Sequence, residues 1–372
     1  MRSNGMLLSL LLLALALLSL GLALLTVVRV PVWLNWRAAL LAGEFGWLLG
    51  VAPLLVGGTA WARWPDDAGV AGTAVVLCVL AVGLFWLPVG RGWWMGRKLT
   101  PALTKAFGAA PPRPAVTPGP VQTHDYAPGL ALDFYPVRRA DGRPAPCVVM
   151  VHGGGWDAGD RAQLAGFNRR LTRMGFAVAA ISYRLAPKHP WPAQREDTLA
   201  AIAWLKARAA DLGIDPTRLV LAGRSAGGQI ATAVGYSGDP AVRGVVALYA
   251  PHDMRFAWSV SREDDALNSL KLMRQFLGGP PEGREEIYDT ASGQALVQPG
   301  RTPPTLLVHG TIDTLVWVRH SRRLAARLDE AGVPHCLLEL PWATHACEFT
   351  TLGPAGRLTA RAVAHFLAAV TK

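Results

Sequence analysis

Cysteine is scarce. The 372 residues contain four, Cys78, Cys147, Cys336 and Cys347, and no two of them form a CxxC pair. That argues against a compact thiolate metal site and against a disulfide framework. Cys336 and Cys347 read as two buried thiols rather than as a bridge. Charge is sparse too, at 17% of residues, and acids are outnumbered by bases 26 to 37, for a net charge of +11. The excess is shared along the chain, +6 over residues 1–120 and +5 beyond. No run of Lys and Arg interleaved with aromatics occurs, so nothing supports nucleic-acid binding. No internal repeat of solenoid length is visible.

Apolar residues are abundant, at 51%, and are concentrated in the first hundred positions. Residues 6–28 form an apolar run long enough to cross a bilayer core of about 30 Å. A cleaved signal peptide is the alternative. It fits less well, because the run exceeds the usual 7–15 residue apolar core and further apolar segments follow. A second span is expected over about 38–62. It contains Glu44 and Pro53, and Glu44 reads as an interfacial residue near one end. A third is expected over about 70–89. Trp33, Trp36, Trp61, Trp64, Trp86, Trp93 and Trp94 fall near the span ends, where indoles favour the headgroup level. This gives a membrane section over 1–98, a stiff Pro-rich linker over 99–120 and a third part over 121–372.

In that third part, short apolar runs alternate with helical patterns. The runs are 130–135, 147–151, 176–182, 219–223, 245–250, 305–310 and 335–340. The helices are expected over 197–209, 225–234, 318–331 and 357–369. Runs this apolar suit strands buried on both faces, so the fold class expected is α/β, a doubly wound, mostly parallel sheet, preceded by an all-α transmembrane section. Residues 252–300 break the rhythm and read either as part of a lid or substrate wall or as an ordinary connection.

Gly223-Arg224-Ser225-Ala226-Gly227 has the form G-x-S-x-G between a strand and a helix. A sharp strand-to-helix turn there exposes a serine nucleophile, and the helix start offers N–H groups to a developing anion. His152-Gly153-Gly154-Gly155-Trp156 ends another strand. Its glycines allow backbone N–H groups to approach a carbonyl oxygen, so Gly154, Gly155 and Ala226 are the candidate oxyanion donors. No Lys-Ser/Thr follows, which argues against a phosphate loop. A serine needs a base, and the base needs an orienting acid. Asp313 and His345 each follow a strand, downstream of Ser225 in the order this constellation uses. A helix cap is the alternative for Asp313, and an ordinary loop residue the alternative for His345. Trp156 and Asp253 are candidates to line the pocket. His152 and His309 read as supports for their loops. No metal ligand set and no cofactor site are assigned.

These motifs, with SYRLAPKHPWPAQREDTLAAIAWL at 182–205, HGTID at 309–313 and THACEF at 344–349, resemble the hormone-sensitive-lipase-like and BD-FAE-like esterases of the α/β-hydrolase superfamily. The likeness covers about Leu130 to the C-terminus. It implies a carboxylic-ester hydrolase without a cofactor, with Ser225, Asp313 and His345 as the triad. It also implies structural roles for Tyr183, Arg184, Glu196 and Asp197. Arg224 departs from the pattern, where an acidic residue is common. The expected substrate is a small-molecule or lipid ester, at a cell membrane crossed more than once. Peptidase or amidase action and a catalytically silent membrane scaffold are the competing functions. With three spans and the N-terminus inside, two basic residues would flank the cytoplasmic ends (Arg2, Arg63) against six outside. The reverse orientation is therefore expected, with the catalytic part in the cytoplasm.

Overall fold

The computed structural model describes residues 2–30, 33–65 and 67–372. Of the side chains named above, those of Arg2 and Trp33 lie outside the described residues. Four N-terminal helices come first: α1 (Arg2–Leu24), α2 (Trp33–Leu49), α3 (Val51–Arg63) and α4 (Val70–Phe107). Then follow β1 (Val116–Pro118), β2 (Gln122–Ala127), β3 (Leu130–Tyr135), β4 (Val137–Arg139), β5 (Ala145–Val151), α5 (Ala165–Thr172), β6 (Ala177–Ile181), α6 (Ala193–Ala207), α7 (Ala209–Leu212) and β7 (Ile214–Arg224). The chain continues with α8 (Ala226–Gly235), β8 (Val242–Leu248), α9 (Met254–Val260), α10 (Ser269–Leu277), α11 (Glu285–Ala291), β9 (Thr305–Gly310), α12 (Arg319–Glu330), β10 (His335–Leu340) and α13 (Pro354–Val370).

These elements form two compact units. The first holds Met1–Lys98, Gly310–Thr314 and Leu340–Leu358; the second holds Leu99–His309, Leu315–Glu339 and Thr359–Lys372.

In the first unit the helices pack through small side chains. Leu12, Ala16, Ala60, Ala74 and Cys78 form one cluster, and Ala23, Ala42, Ala81 and Phe85 another. At Gly46 a Cβ would come within 2.4 Å of the Phe85 carbonyl oxygen, so only glycine lets α2 and α4 approach this closely. Large apolar side chains such as Leu7, Leu18, Leu55 and Val79 point outward. Gly5–Leu24 and Val70–Phe107 are long and apolar enough to cross a membrane. Trp36–Leu49 and Val51–Arg63 pass together, but they are bent by 54° at Gly50. The expected second span is therefore a broken pair. The expected third span is part of a 38-residue helix that continues past Lys98, where the linker had been expected to begin. At 1.5 Å per residue that helix is about 57 Å long, well beyond a hydrocarbon core. Within the Pro-rich stretch, Val116–Pro118 pairs antiparallel with β4.

The second unit is built on an eight-stranded sheet of order β10-β9-β8-β7-β5-β6-β3-β2. Strands β6, β5, β7, β8 and β9 run parallel, while β3 and β2 are antiparallel additions at one edge. All seven residues of β5 and all five of β6 are buried, as expected of strands covered on both faces. Each buried Val, Leu or Ile there contributes about 1.5–3 kcal/mol relative to exposure. All seven expected strands are present. The sequence reading missed the polar edge strand β2, the short β1 and β4, and helix α5.

Candidate functional site

The turn after β7 is strained. Ser225 has φ 51° and ψ −122°, a region that costs a non-glycine residue about 1–3 kcal/mol. Its N–H donates to the Leu248 carbonyl at 2.9 Å, which ties the turn to the next strand. The flanking glycines are required by space. A Cβ on Gly223 would lie 2.1 Å from the Gly227 oxygen, and one on Gly227 would lie 2.3 Å from the carbonyl oxygens of Val151 and His152. Helix α8 begins at once, at Ala226, so its N-terminal N–H groups and positive end sit beside the serine.

The loop after β5 packs on this turn. A Cβ on Gly153 would lie 2.9 Å from the Arg224 oxygen and 3.3 Å from the Ser225 Cβ. Gly154, Gly155 and Trp156 all have positive φ, which bends the loop tightly. The Gly153 N–H donates to Gln163 Oε1 at 2.8 Å. His152 supports the loop as expected. Its ring stacks on Tyr183 at 4.1 Å, Nδ1 lies 2.9 Å from the Gly153 oxygen, and the Tyr183 hydroxyl donates to the His152 carbonyl. Burial pushes the His152 imidazole below its usual value, so it is neutral at physiological pH.

Trp156 is buried. Its indole N–H donates to Gln229 Oε1 at 2.8 Å, and its ring stacks on Phe276 of α10 at 4.3 Å. Leu272, also on α10, lies 3.1 Å from where a Gly155 Cβ would be. The excursion over 252–300 therefore packs on the glycine loop through α10. Asp253 does otherwise than expected of a pocket residue. It caps α9 by accepting from the Phe256 N–H at 3.0 Å, and it pairs with Arg323 at 2.6 Å. Arg184 binds Asp197 and Glu196, the structural role the resemblance implied. Arg224 is buried, with its guanidinium over the Phe167 ring.

Asp313 and His345 belong to the first unit, in the loops after β9 and β10. The structure brings this pair together: His345 Nδ1 lies 2.7 Å from Asp313 Oδ2, and Asp313 is fully buried. The two loops meet through backbone. Thr311 N–H donates to the Leu340 oxygen and Ile312 N–H to the Ala343 oxygen. Only glycine fits at 310, where a Cβ would be 2.1 Å from the Ala343 oxygen.

N-terminal residues that the sequence reading did not connect with these loops also reach them. Arg29 donates to the Thr311 carbonyl at 2.9 Å, and the Trp36 ring lies 6.3 Å from the His345 ring. Glu44, read from the sequence as an interfacial residue, is buried within the protein. It is 1% exposed, and its two oxygens accept from the Ala355 and Gly356 N–H groups at 3.1 Å each. The one available signal was a lone carboxylate inside an apolar run.

His309 is buried in the second unit between Ser321 Oγ and the Val316 oxygen. All four cysteines are unbridged. Among the described residues, no group of three or more His, Cys, Asp and Glu side chains is arranged to hold a metal.

The BD-FAE family model matches residues 132–328. Esterase LipC of Mycobacterium tuberculosis is 31% identical over 258 residues, 64% of this chain and 62% of that protein. Esterase LipQ of the same organism is 29% identical over 279 residues, 68% of this chain and 65% of that one. The chain thus spans just under two thirds of the length of these curated relatives. Among solved structures, EstE1, a thermostable carboxylesterase cloned from a metagenomic library, is similar with a TM-score of 0.58 at 25% identity, covering 76% of this chain and 98% of that one. A bacterial heroin esterase has the same fold, with a TM-score of 0.58 at 24% identity over 77% of this chain and 92% of its own. With a parallel sheet, a strained serine turn and this similarity together, the chain is a member of the BD-FAE family within the α/β-hydrolase superfamily.

Proposed function

We propose that this protein is a membrane-anchored serine hydrolase that cleaves carboxylic esters through Ser225, His345 and Asp313. The observation that carries this reading is the buried 2.7 Å bond between Asp313 and His345 Nδ1. A carboxylate on Nδ1 fixes the tautomer and makes Nε2 the basic nitrogen. In this reading Nε2 takes the proton of Ser225 Oγ as that oxygen attacks the ester carbonyl, then returns it to the leaving alcohol. Water repeats the cycle on the acyl-enzyme. The N–H groups of Gly154, Gly155 and Ala226 receive the oxyanion; removing one such donor typically costs about 10²–10³ in rate. Relatives and neighbours described as esterases support an ester substrate, whether a small molecule or a lipid.

The N-terminal helices support membrane attachment by their length and their outward-facing leucines. Arg97 lies over Trp93 and Lys98 over Trp94, an arrangement suited to a headgroup layer. With α2 and α3 counted as one broken span, the distribution of basic residues favours a cytoplasmic catalytic part. One experiment tests both halves of the proposal. Intact cells expressing the full chain are treated with a membrane-permeant or an impermeant fluorophosphonate probe. We expect labelling by the permeant probe alone, and none in Ser225→Ala. Full labelling of that variant would remove Ser225 from the mechanism. Labelling by the impermeant probe would reverse the orientation.

A further inference from the structure

We infer that the N-terminal helices are a working part of the catalytic machinery, with Glu44 as a positioning residue that clamps the segment carrying His345. The inference rests on the triad reading above.

Helix α13 starts nine residues after His345. Its first N–H groups have no acceptor within the helix, and its N-terminus carries partial positive charge. Glu44, from α2, supplies both needs with one carboxylate, bonded to Ala355 and Gly356. The fit is tight. A Cβ on Gly353 would lie 2.3 Å from Glu44 Oε2 and 2.6 Å from the Glu44 carbonyl oxygen. A buried carboxylate that lost these donors would be strongly unfavourable, so the contact holds α2 and the start of α13 in one register.

The grip continues on both sides of the histidine. Before it, Gly43 lies against the carbonyl of Trp342, a fully buried side chain, with 3.3 Å to the position of a Cβ. After it, Phe349 meets Phe45 edge-on at 6.1 Å. On α4, a Cβ at Gly92 would lie 2.8 Å from Pro354 Cβ. Trp36 reaches the histidine ring itself. His345 thus sits in a short segment whose two ends are held by α2 and α4. A base must keep its geometry to within a fraction of an ångström, and displacement by about 1 Å costs about 10²-fold. The other titratable side chains in the same segment, Cys347 and Glu348, are buried.

The test uses the full chain in detergent, p-nitrophenyl butyrate as substrate and a fluorophosphonate to titrate active sites to completion. Glu44→Ala should lower kcat per titrated site by about 10- to 100-fold and leave KM within about twofold. Glu44→Gln keeps the volume and one acceptor, and should fall between Glu44→Ala and the native chain. A merely structural role would reduce the number of titratable sites and leave kcat per site unchanged, and that result overturns the inference. So does a rise in KM with kcat intact. If Glu44→Ala yields no folded protein, Glu44→Gln alone decides, and a native kcat per site rejects the clamp. Ser225→Ala run in parallel keeps the two proposals apart. Turnover by that variant defeats the triad reading, whereas its silence beside fully active Glu44 variants defeats only the clamp.

Discussion

The turn of the proposed nucleophile and the loops of the proposed acid and base are built in opposite ways. The turn is local. Five residues, Gly223 to Gly227, contain the strained serine and the glycines that admit it, and the turn leans on nearby backbone, that of residues 151–153 and the Leu248 carbonyl. The acid–base loops are assembled at long range. Asp313 and His345 are 32 residues apart, and their loops take side chains from positions 282 to 312 residues away, namely Arg29 to Thr311 and Glu44 to Ala355 and Gly356. The difference teaches that a serine turn is set by a short motif and a sheet. The proposed base, His345, is set by contacts the motif does not contain. In this chain those contacts come from the apolar N-terminal section, which doubles as a tertiary support.

The largest effect expected from disturbing the long-range half is at the acid. Asp313→Asn keeps the shape but removes the charge that fixes the His345 tautomer in the proposed triad. By the general behaviour of such triads, kcat should fall about 10³–10⁴-fold. Asp253→Asn is the control. Asp253 already caps α9 and pairs with Arg323, so its loss should cost stability and leave kcat near native. Steady-state kinetics on both variants decide the matter. If Asp253→Asn is the more damaging, the acid has been assigned to the wrong residue.

A smaller effect is expected where the clamp itself is crowded. Gly353→Ala places a methyl against the Glu44 carboxylate and backbone. Overpacking of this kind costs about 1–3 kcal/mol, because the Glu44 backbone as well as its carboxylate would have to shift. The melting temperature should fall, and kcat per titrated site should drop several-fold while Ser225 remains fully labelled. A lower melting temperature with native kcat per site would mean that α13 can shift without moving the base, and the contrast between the two regions would weaken.

How much of this was legible follows the same division. The seven strands stood out because runs such as CVVMV are apolar on both faces, and four motifs, GRSAG, HGGGW, HGTID and THACEF, named the candidates Ser225, the glycine loop, Asp313 and His345. Strand β2, QTHDYA, was missed because an edge strand with one wet face lacks the apolar signature. The extension of α4 beyond Lys98 was missed because the Pro-rich stretch that follows read as a linker from residue 99 on. In the structure, Phe107 packs edge-on against Phe366 at 4.8 Å, and tertiary burial outweighs the local signal. The partners of Glu44 were missed for a related reason. A carboxylate in an apolar run has a default place at an interface. Only the fold brings to it the one helix start, 311 residues away, that satisfies it.

The smallest effect separates the two regions by their response to acid. His252 follows β8 in the second unit. It is fully buried, with Nδ1 3.4 Å from Thr232 Oγ1 of α8, the helix that carries the serine turn. Burial, reinforced by the neighbouring His320 and His309, holds its pKa well below the usual value. The unfolded chain takes up a proton at this residue below about pH 6.5, while the folded chain does not. Stability is therefore complete above that pH and is lost as pH falls towards the folded pKa. The slope is at most about 1.4 kcal/mol per pH unit for each such group. His152, shifted the same way by burial, adds to it. His252→Gln removes one of these two groups. Thermal or denaturant melts between pH 7 and pH 5 should show a shallower loss of stability than in the native chain, with the activity at pH 7 retained. An unchanged slope would mean that the acid lability does not arise beneath the serine turn, and the search would move to the long-range loops.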